Sequence, residues 1–137
     1  MQEKQKALEI LQGVFLLHPA SKLTVVEDNN GIKVLLDLLE VPQLQLSVLE
    51  TFLTLLVDEQ KTQKAFTQQK GIAKILQIAT QKTTWKEVRA KCGEFLSFAI
   101  RYFVHDNDEI KQQLIDYWNL NTPEIVALLA QKVEQHE

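Results

Sequence analysis

Gly31-Ile32-Lys33-Val34-Leu35-Leu36 has a near copy forty residues later, Gly71-Ile72-Ala73-Lys74-Ile75-Leu76. The register extends upstream, where Leu17-His18 falls on Val57-Asp58 and Val25-Val26 on Ala65-Phe66. Downstream, after a three-residue insertion, Leu49, Phe52, Leu53 and Leu56 fall on Cys92, Phe95, Leu96 and Ala99. A period near forty residues built on helical spacing is the mark of armadillo or HEAT solenoids, whose units bury their apolar faces only by stacking on one another. A short helix, a glycine corner, a middle helix and a longer third helix favour the armadillo form. The expected fold is therefore all-α, an armadillo/HEAT-like right-handed α-solenoid of about three stacked repeats.

The stretch from Gly31 to Asp58 carries the most apolar part of this pattern. Val34, Leu35, Leu38 and Leu39 recur at helical spacing; past Pro42, Leu46, Leu49, Leu53 and Leu56 resume it, with Phe52 and Leu55 widening the stripe. The residue before a proline avoids helical geometry, so Val41-Pro42 is the bend between the two helices. A fully buried Leu or Phe contributes roughly 1.5–3 kcal/mol, so these helices need neighbours on more than one side.

The remaining segments fit around that pair as a single domain over 1–137. Lys4 to Leu17, with Ala7, Leu8, Leu11, Val14, Phe15 and Leu17 apolar, reads as the third helix of a partial repeat (1–17), so the chain starts inside a repeat. The next repeat covers 18–57, with Pro19 to Asp28 as its short first helix and Asn29-Asn30-Gly31 at the corner, residues that tolerate left-handed geometry. In the repeat 58–103, Asp58 caps a short helix and Lys70-Gly71 makes the corner. Thr84-Trp85-Lys86-Glu87 has the form of a capping box opening the longest helix, Trp85 to Phe103, with Val88, Cys92, Phe95, Leu96, Ala99 and Phe103 on one face. Residues 106–137 are capping helices: Asp106 to Glu109 opens one carrying Ile110, Leu114 and Trp118, and Thr122-Pro123-Glu124 opens a last one with Ile125, Leu128, Leu129 and Val133.

Chemistry-bearing constellations are missing from this pattern. His18, His105 and His136 fall at a corner, a loop and the terminus without metal spacing, and four isolated glycines cannot form a phosphate-cradling loop. The single cysteine, Cys92, lies on an apolar stripe and reads as a reduced core thiol, consistent with a cytosolic or nuclear setting, of which the cytoplasm is the expected one. No run of eighteen uncharged apolar residues is present, so membrane insertion is not expected. The expectation is a protein that is not an enzyme and holds no cofactor or metal.

Charge is unevenly placed. Residues 61–91 hold eight lysines and arginines against Glu87 alone, while the flanks are acidic and the chain as a whole has a net charge of −3. Such a belt can attract an acidic or phosphorylated peptide, or be a set of solvated faces. Nucleic acid is disfavoured, because only Trp85 interleaves with the basic residues and the total charge is negative.

The run LVDEQKTQKAFTQQKGIAKILQIATQKTTWKEVRAKCGEFLSFAI, with LLHPASKL, GIKVLLDLLE and LQLSVLETFLTLLVD before it, resembles the fungal septation-initiation-network component of the cell division control protein fourteen family, which is unrelated to the phosphatase of similar name. The order of Leu38-Leu39, Leu49 to Leu56, Ala65-Phe66 with Gly71, and Glu87-Val88-Arg89 leading through Lys91-Cys92 to Glu94-Phe95-Leu96 carries the resemblance, over roughly Ala7 to Arg101. It implies a non-catalytic scaffold that binds and supports a germinal-centre-type serine/threonine kinase in the cascade controlling cytokinesis, in the cytoplasm near the spindle pole body. The alternative is a general armadillo-type adaptor for a cytoskeletal or transport partner.

A partner surface is expected on the third helices, at positions their cores do not use: Ser47, Glu50, Thr51 and Thr54 in one repeat, and Ala90, Glu94, Ser97 and Arg101 in the next. Glu50, Thr54, Glu94, Ser97 and Arg101 are the expected contact residues, with Lys86 and Arg89 as a basic edge. Importin-like peptide capture would require Asn on those helices, and it is missing from both. The open first helix offers a surface for self-association, and Trp85 and Trp118 are each equally suited to core or to exposed anchor.

Overall fold

Helix follows helix in the order the periodicity sets out. A computed structural model describes residues 2–27, 30–104 and 107–121, and all secondary structure among them is helical. The elements are α1 (Gln2–Leu17), α2 (Ser21–Glu27), α3 (Gly31–Leu38), a 3-10 turn at Pro42–Leu44, α4 (Gln45–Leu56), α5 (Gln60–Gln68), α6 (Gly71–Thr80), α7 (Lys86–Tyr102) and α8 (Asp108–Asn121). The chain divides into two compact units between Phe95 and Leu96, inside α7. The second expected capping helix, with Ile125, Leu128, Leu129 and Val133, lies outside the described residues, as do His105 and His136.

In the first unit the helices pair like with like. α1 packs on α4 and α2 packs on α5, while α2 with α3, α3 with α4, and α5 with α6 meet as chain neighbours. The two helices expected to be third in their repeats thus meet each other, as do the two expected to be first. Val48, Leu49, Phe52, Leu55 and Leu56 of α4 are buried, and Phe52, Phe66 and Phe95 of α4, α5 and α7 form a column with ring centroids 4.9 and 5.5 Å apart. Such tilted and edge-on pairs add about 0.5–1.5 kcal/mol each beyond their burial.

The end of α4 shows why the short first helices sit where they do. A helix leaves its last four carbonyls without internal partners. Here the Thr62 hydroxyl donates to Leu55 O at 2.9 Å, Gln63 Nε2 to Leu56 O at 2.8 Å, and Lys22 Nζ to Val57 O at 2.9 Å. Lys22, only 6% exposed, brings its positive charge to the negative end of α4, where a cation is favoured.

Both corners repeat at forty-residue spacing, within the expected Asn30-Gly31 and Lys70-Gly71 pairs, with the residue before each glycine taking the left-handed conformation. The left-handed residues are Asn30 (φ 49°) and Lys70 (φ 66°), each the cap of the following helix, and no glycine has positive φ. Gly31 and Gly71 are needed for close approach instead. A Cβ on Gly31 would strike the Val25 side chain and stand 3.1 Å from Val25 O, and one on Gly71 would press into the Phe66 ring.

Four other expectations are corrected. Asp58 does not cap α5: it takes the left-handed conformation (φ 54°), and Glu59 is the cap, its carboxylate accepting from Lys61 N at 3.2 Å. Thr84 does not open α7, because its hydroxyl is drawn inward to donate to Ile78 O at 2.7 Å; Trp85 O accepts the first helical bond, from Arg89 N at 2.9 Å. Val14 and Leu17 are exposed, Leu17 by 89%, since α1 is covered by α4 on one side only, where Leu8 and Phe15 are buried. Val34 and Leu46 are exposed as well; Leu36 and Val48 take the covered positions.

In the second unit, Leu96, Ala99, Val104, Leu114 and Trp118 are buried. Phe98 stacks on Tyr102 and Phe103 with centroids 5.2 and 5.7 Å apart.

Candidate functional site

The expected contact residues come from α4 and α7. On α4, Glu50 and Thr54 stand one turn apart and are half-buried. The Thr54 hydroxyl donates to Thr51 O at 2.8 Å, within its own helix. Thr51 is fully buried, which corrects its place among the free positions: Gln12 of α1 donates to its hydroxyl at 3.0 Å, and that hydroxyl donates to Ser47 O at 2.8 Å. The α1–α4 seam therefore takes up one side of the surface expected to be open.

On α7, Lys86, Arg89 and Glu94 are exposed. Lys86 and Arg89, three positions apart, project on one side of the first turn. Glu94 pairs with Lys91 one turn back at 3.1 Å, a solvent-facing contact worth a few tenths of a kcal/mol. Ser97 and Arg101 lie past the division between the units; Ser97 is half-buried, and the Arg101 guanidinium stands 5.8 Å from the centre of the Tyr102 ring.

A cleft of about 150 Å³ opens in the first unit between the α3–α4 turn and the α6–α7 turn. The wall on one side includes Leu39, Pro42 and Gln45, and on the other Ile78, Gln81 and Trp85. Each wall is fixed by a side chain that reaches back six residues to the end of the preceding helix: Gln45 Nε2 donates to Leu39 O at 2.9 Å, and the Thr84 hydroxyl to Ile78 O. An ion pair between Lys74 and Glu40 spans the lining. Trp85 is 51% exposed at the edge, whereas Trp118 is 8% exposed, so the structure separates the two tryptophans.

Sequence spacing missed this cleft. Its two walls are about forty residues apart in the chain, and the one local signal was a polar residue after each middle helix, Gln45 and Thr84.

Cys92 is fully buried on α7, and burial pushes its thiol up from 9.0 to about 12, so it stays protonated at neutral pH. A thiol nucleophile needs the opposite environment. Among the described residues no group of three or more His, Cys, Asp or Glu could hold a metal ion, and no helix is long and apolar enough to cross a membrane.

The sequence model of one protein family, Cell division control protein 14, SIN component, matches residues 4–133. The chain belongs to that family. The match runs from α1 past α8, so it takes in most of both compact units. Membership makes the chain a component of the septation initiation network, in the setting of cell division. No curated protein and no solved structure matches the chain.

Proposed function

We propose that this chain is a non-catalytic scaffold that binds and supports a germinal-centre-type serine/threonine kinase of the septation initiation network, in the cytoplasm and at the spindle pole body. Membership in a family of network components is the observation that carries the reading. The like-with-like pairing of α1 on α4 and α2 on α5 supports an armadillo-like right-handed stack of about three repeats, a partial one over 1–17, then 18–57 and 58–103, closed by 106–137. Its working surface is the third-helix side with Glu50, Thr54, Glu94, Ser97 and Arg101, edged by Lys86 and Arg89.

A scaffold of this kind acts by preferring one arrangement of its partner, and it shifts that equilibrium only by its difference in affinity for the two arrangements. The test is reconstitution of the purified chain with the network's germinal-centre-type kinase. Co-elution and a severalfold rise in kinase activity are expected, both reduced by reversing the charge of Lys86 and Arg89. A kinase that neither binds nor changes its rate overturns the reading and leaves a general adaptor role.

A further inference from the structure

Of the five asparagines in the chain, Asn30 alone is followed by glycine. An asparagine side chain carries an amide carbon, Cγ, that the next main-chain nitrogen can attack to close a five-membered ring, and glycine has no side chain to block the approach. Asn30 is exposed, and its side chain makes no capping hydrogen bond. Gly31 opens α3, where a helix leaves its first N–H groups without internal partners. Asn107 differs on both counts: Asp108 follows it, and its Oδ1 accepts from Ile110 N at 3.1 Å.

The folded corner holds the two reacting groups apart. Ring closure needs Asn30 Cβ and Gly31 N nearly eclipsed about the bond from Cα to the carbonyl carbon. At ψ 36° they stand close to trans, so no turn of the side chain alone brings Cγ to the nitrogen. Rotating ψ would swing away the Asn30 carbonyl, which accepts the first bond of α3 from Val34 N at 3.1 Å. It would also move Gly31, which lies hard against Val25. Reaction therefore waits for the first turn of α3 to open, a local event that costs far less than unfolding the chain.

We infer that Asn30 is a self-modification site, deamidating through attack by the Gly31 nitrogen at a rate set by how often the first turn of α3 opens. The Gly31 nitrogen gives up its proton and bonds to Cγ, the Cγ–Nδ2 bond breaks, and ammonia leaves with that proton. Water then opens the ring. Attack at Cγ leaves aspartate, whose negative charge suits the start of a helix. Attack at the main-chain carbonyl carbon leaves isoaspartate, with the main chain rerouted through Cβ and Cγ and one carbon longer, beside a glycine that Val25 already crowds. The matching corner carries Lys70, which has no amide to lose, so only one of the two corners ages in this way. None of this rests on the kinase reading.

The experiment incubates the intact chain at neutral pH, with and without guanidinium chloride, and follows by mass spectrometry of its fragments the small gain in mass that replaces NH2 by OH. The gain is expected at Asn30 before any other asparagine, and at least roughly tenfold more slowly in the native chain than in the denatured one. Lys33→Gly weakens the first turn of α3 without touching either reacting group. It is expected to raise the native rate roughly threefold and to leave the denatured rate unchanged. Asn30→Ser should abolish the gain in that fragment, and an isoaspartate methyltransferase with labelled S-adenosylmethionine should mark the aged chain but not this variant. Thermal melting checks that both variants are folded, which the exposure of Asn30 and Lys33 leads one to expect. A native rate equal to the denatured one, a first modification at another asparagine, or a native rate indifferent to Lys33→Gly would overturn the inference.

Discussion

Gly31 lies against the side chain and backbone of a half-buried valine, Val25, whereas Gly71, at the matching position forty residues on, lies against the ring of a fully buried phenylalanine, Phe66. The corner is otherwise the same, with a left-handed residue before the glycine and, past each middle helix, a side chain reaching back six residues to its end. What differs is how far the neighbour can give way. Val25 is partly exposed and can shift; the Phe66 ring is held between Phe52 and Phe95. Two copies of one backbone motif can therefore have different tolerance, set by what presses on them.

The sharpest challenge to that contrast is Phe66→Ala, which removes the middle ring of the column and is expected to cost about 3–5 kcal/mol in urea unfolding. A loss under about 1.5 kcal/mol would mean that the first compact unit does not rest on this ring. Next comes the pair of glycines. Gly71→Ala should lie at the upper end of the roughly 1–3 kcal/mol range for overpacking and Gly31→Ala at the lower end, each partly offset by alanine's better helix propensity. If the order is reversed, the rigidity of the neighbour is not what decides tolerance.

A smaller effect tests what the repeats share. Gln45→Leu should cost about 1–2 kcal/mol by removing the donor to the Leu39 carbonyl, and Thr84→Val less, because Ile78 O keeps a bond from Gln81 N at 3.3 Å. Smallest is the left-handed residue itself. Lys70→Gly should stabilise by roughly 0.5–1 kcal/mol, while Asn30→Gly should be close to neutral, because asparagine tolerates that conformation and lysine does not. Thermal melts of the two variants side by side are enough to tell.

Much of this architecture was legible because burial at helical spacing leaves a periodic trace. The glycines at 31 and 71, the bend at Pro42 and the buried face of Val88, Cys92, Phe95, Leu96 and Ala99 all follow from that trace. What could not be read depends on distant neighbours. Val14 and Leu17 share the period of Leu8 and Phe15 but face away from α4, and Thr51 looked free until Gln12 reached it from α1. Lys70 in a left-handed conformation has no local sign, since lysine rarely adopts it. Exposure of Lys86, Arg89 and Glu94 followed from their spacing, whereas the cleft beside Trp85 needed two turns brought together from about forty residues apart.

The phenylalanine column also bears on how the chain can be cut. Modular arrays melt piece by piece when each module holds itself together, but here one ring from each of α4, α5 and α7 completes a shared stack. A fragment ending after α6 would leave Phe66 bare on the side that Phe95 covers, so the smallest piece able to stand alone is set by Phe95, well inside α7.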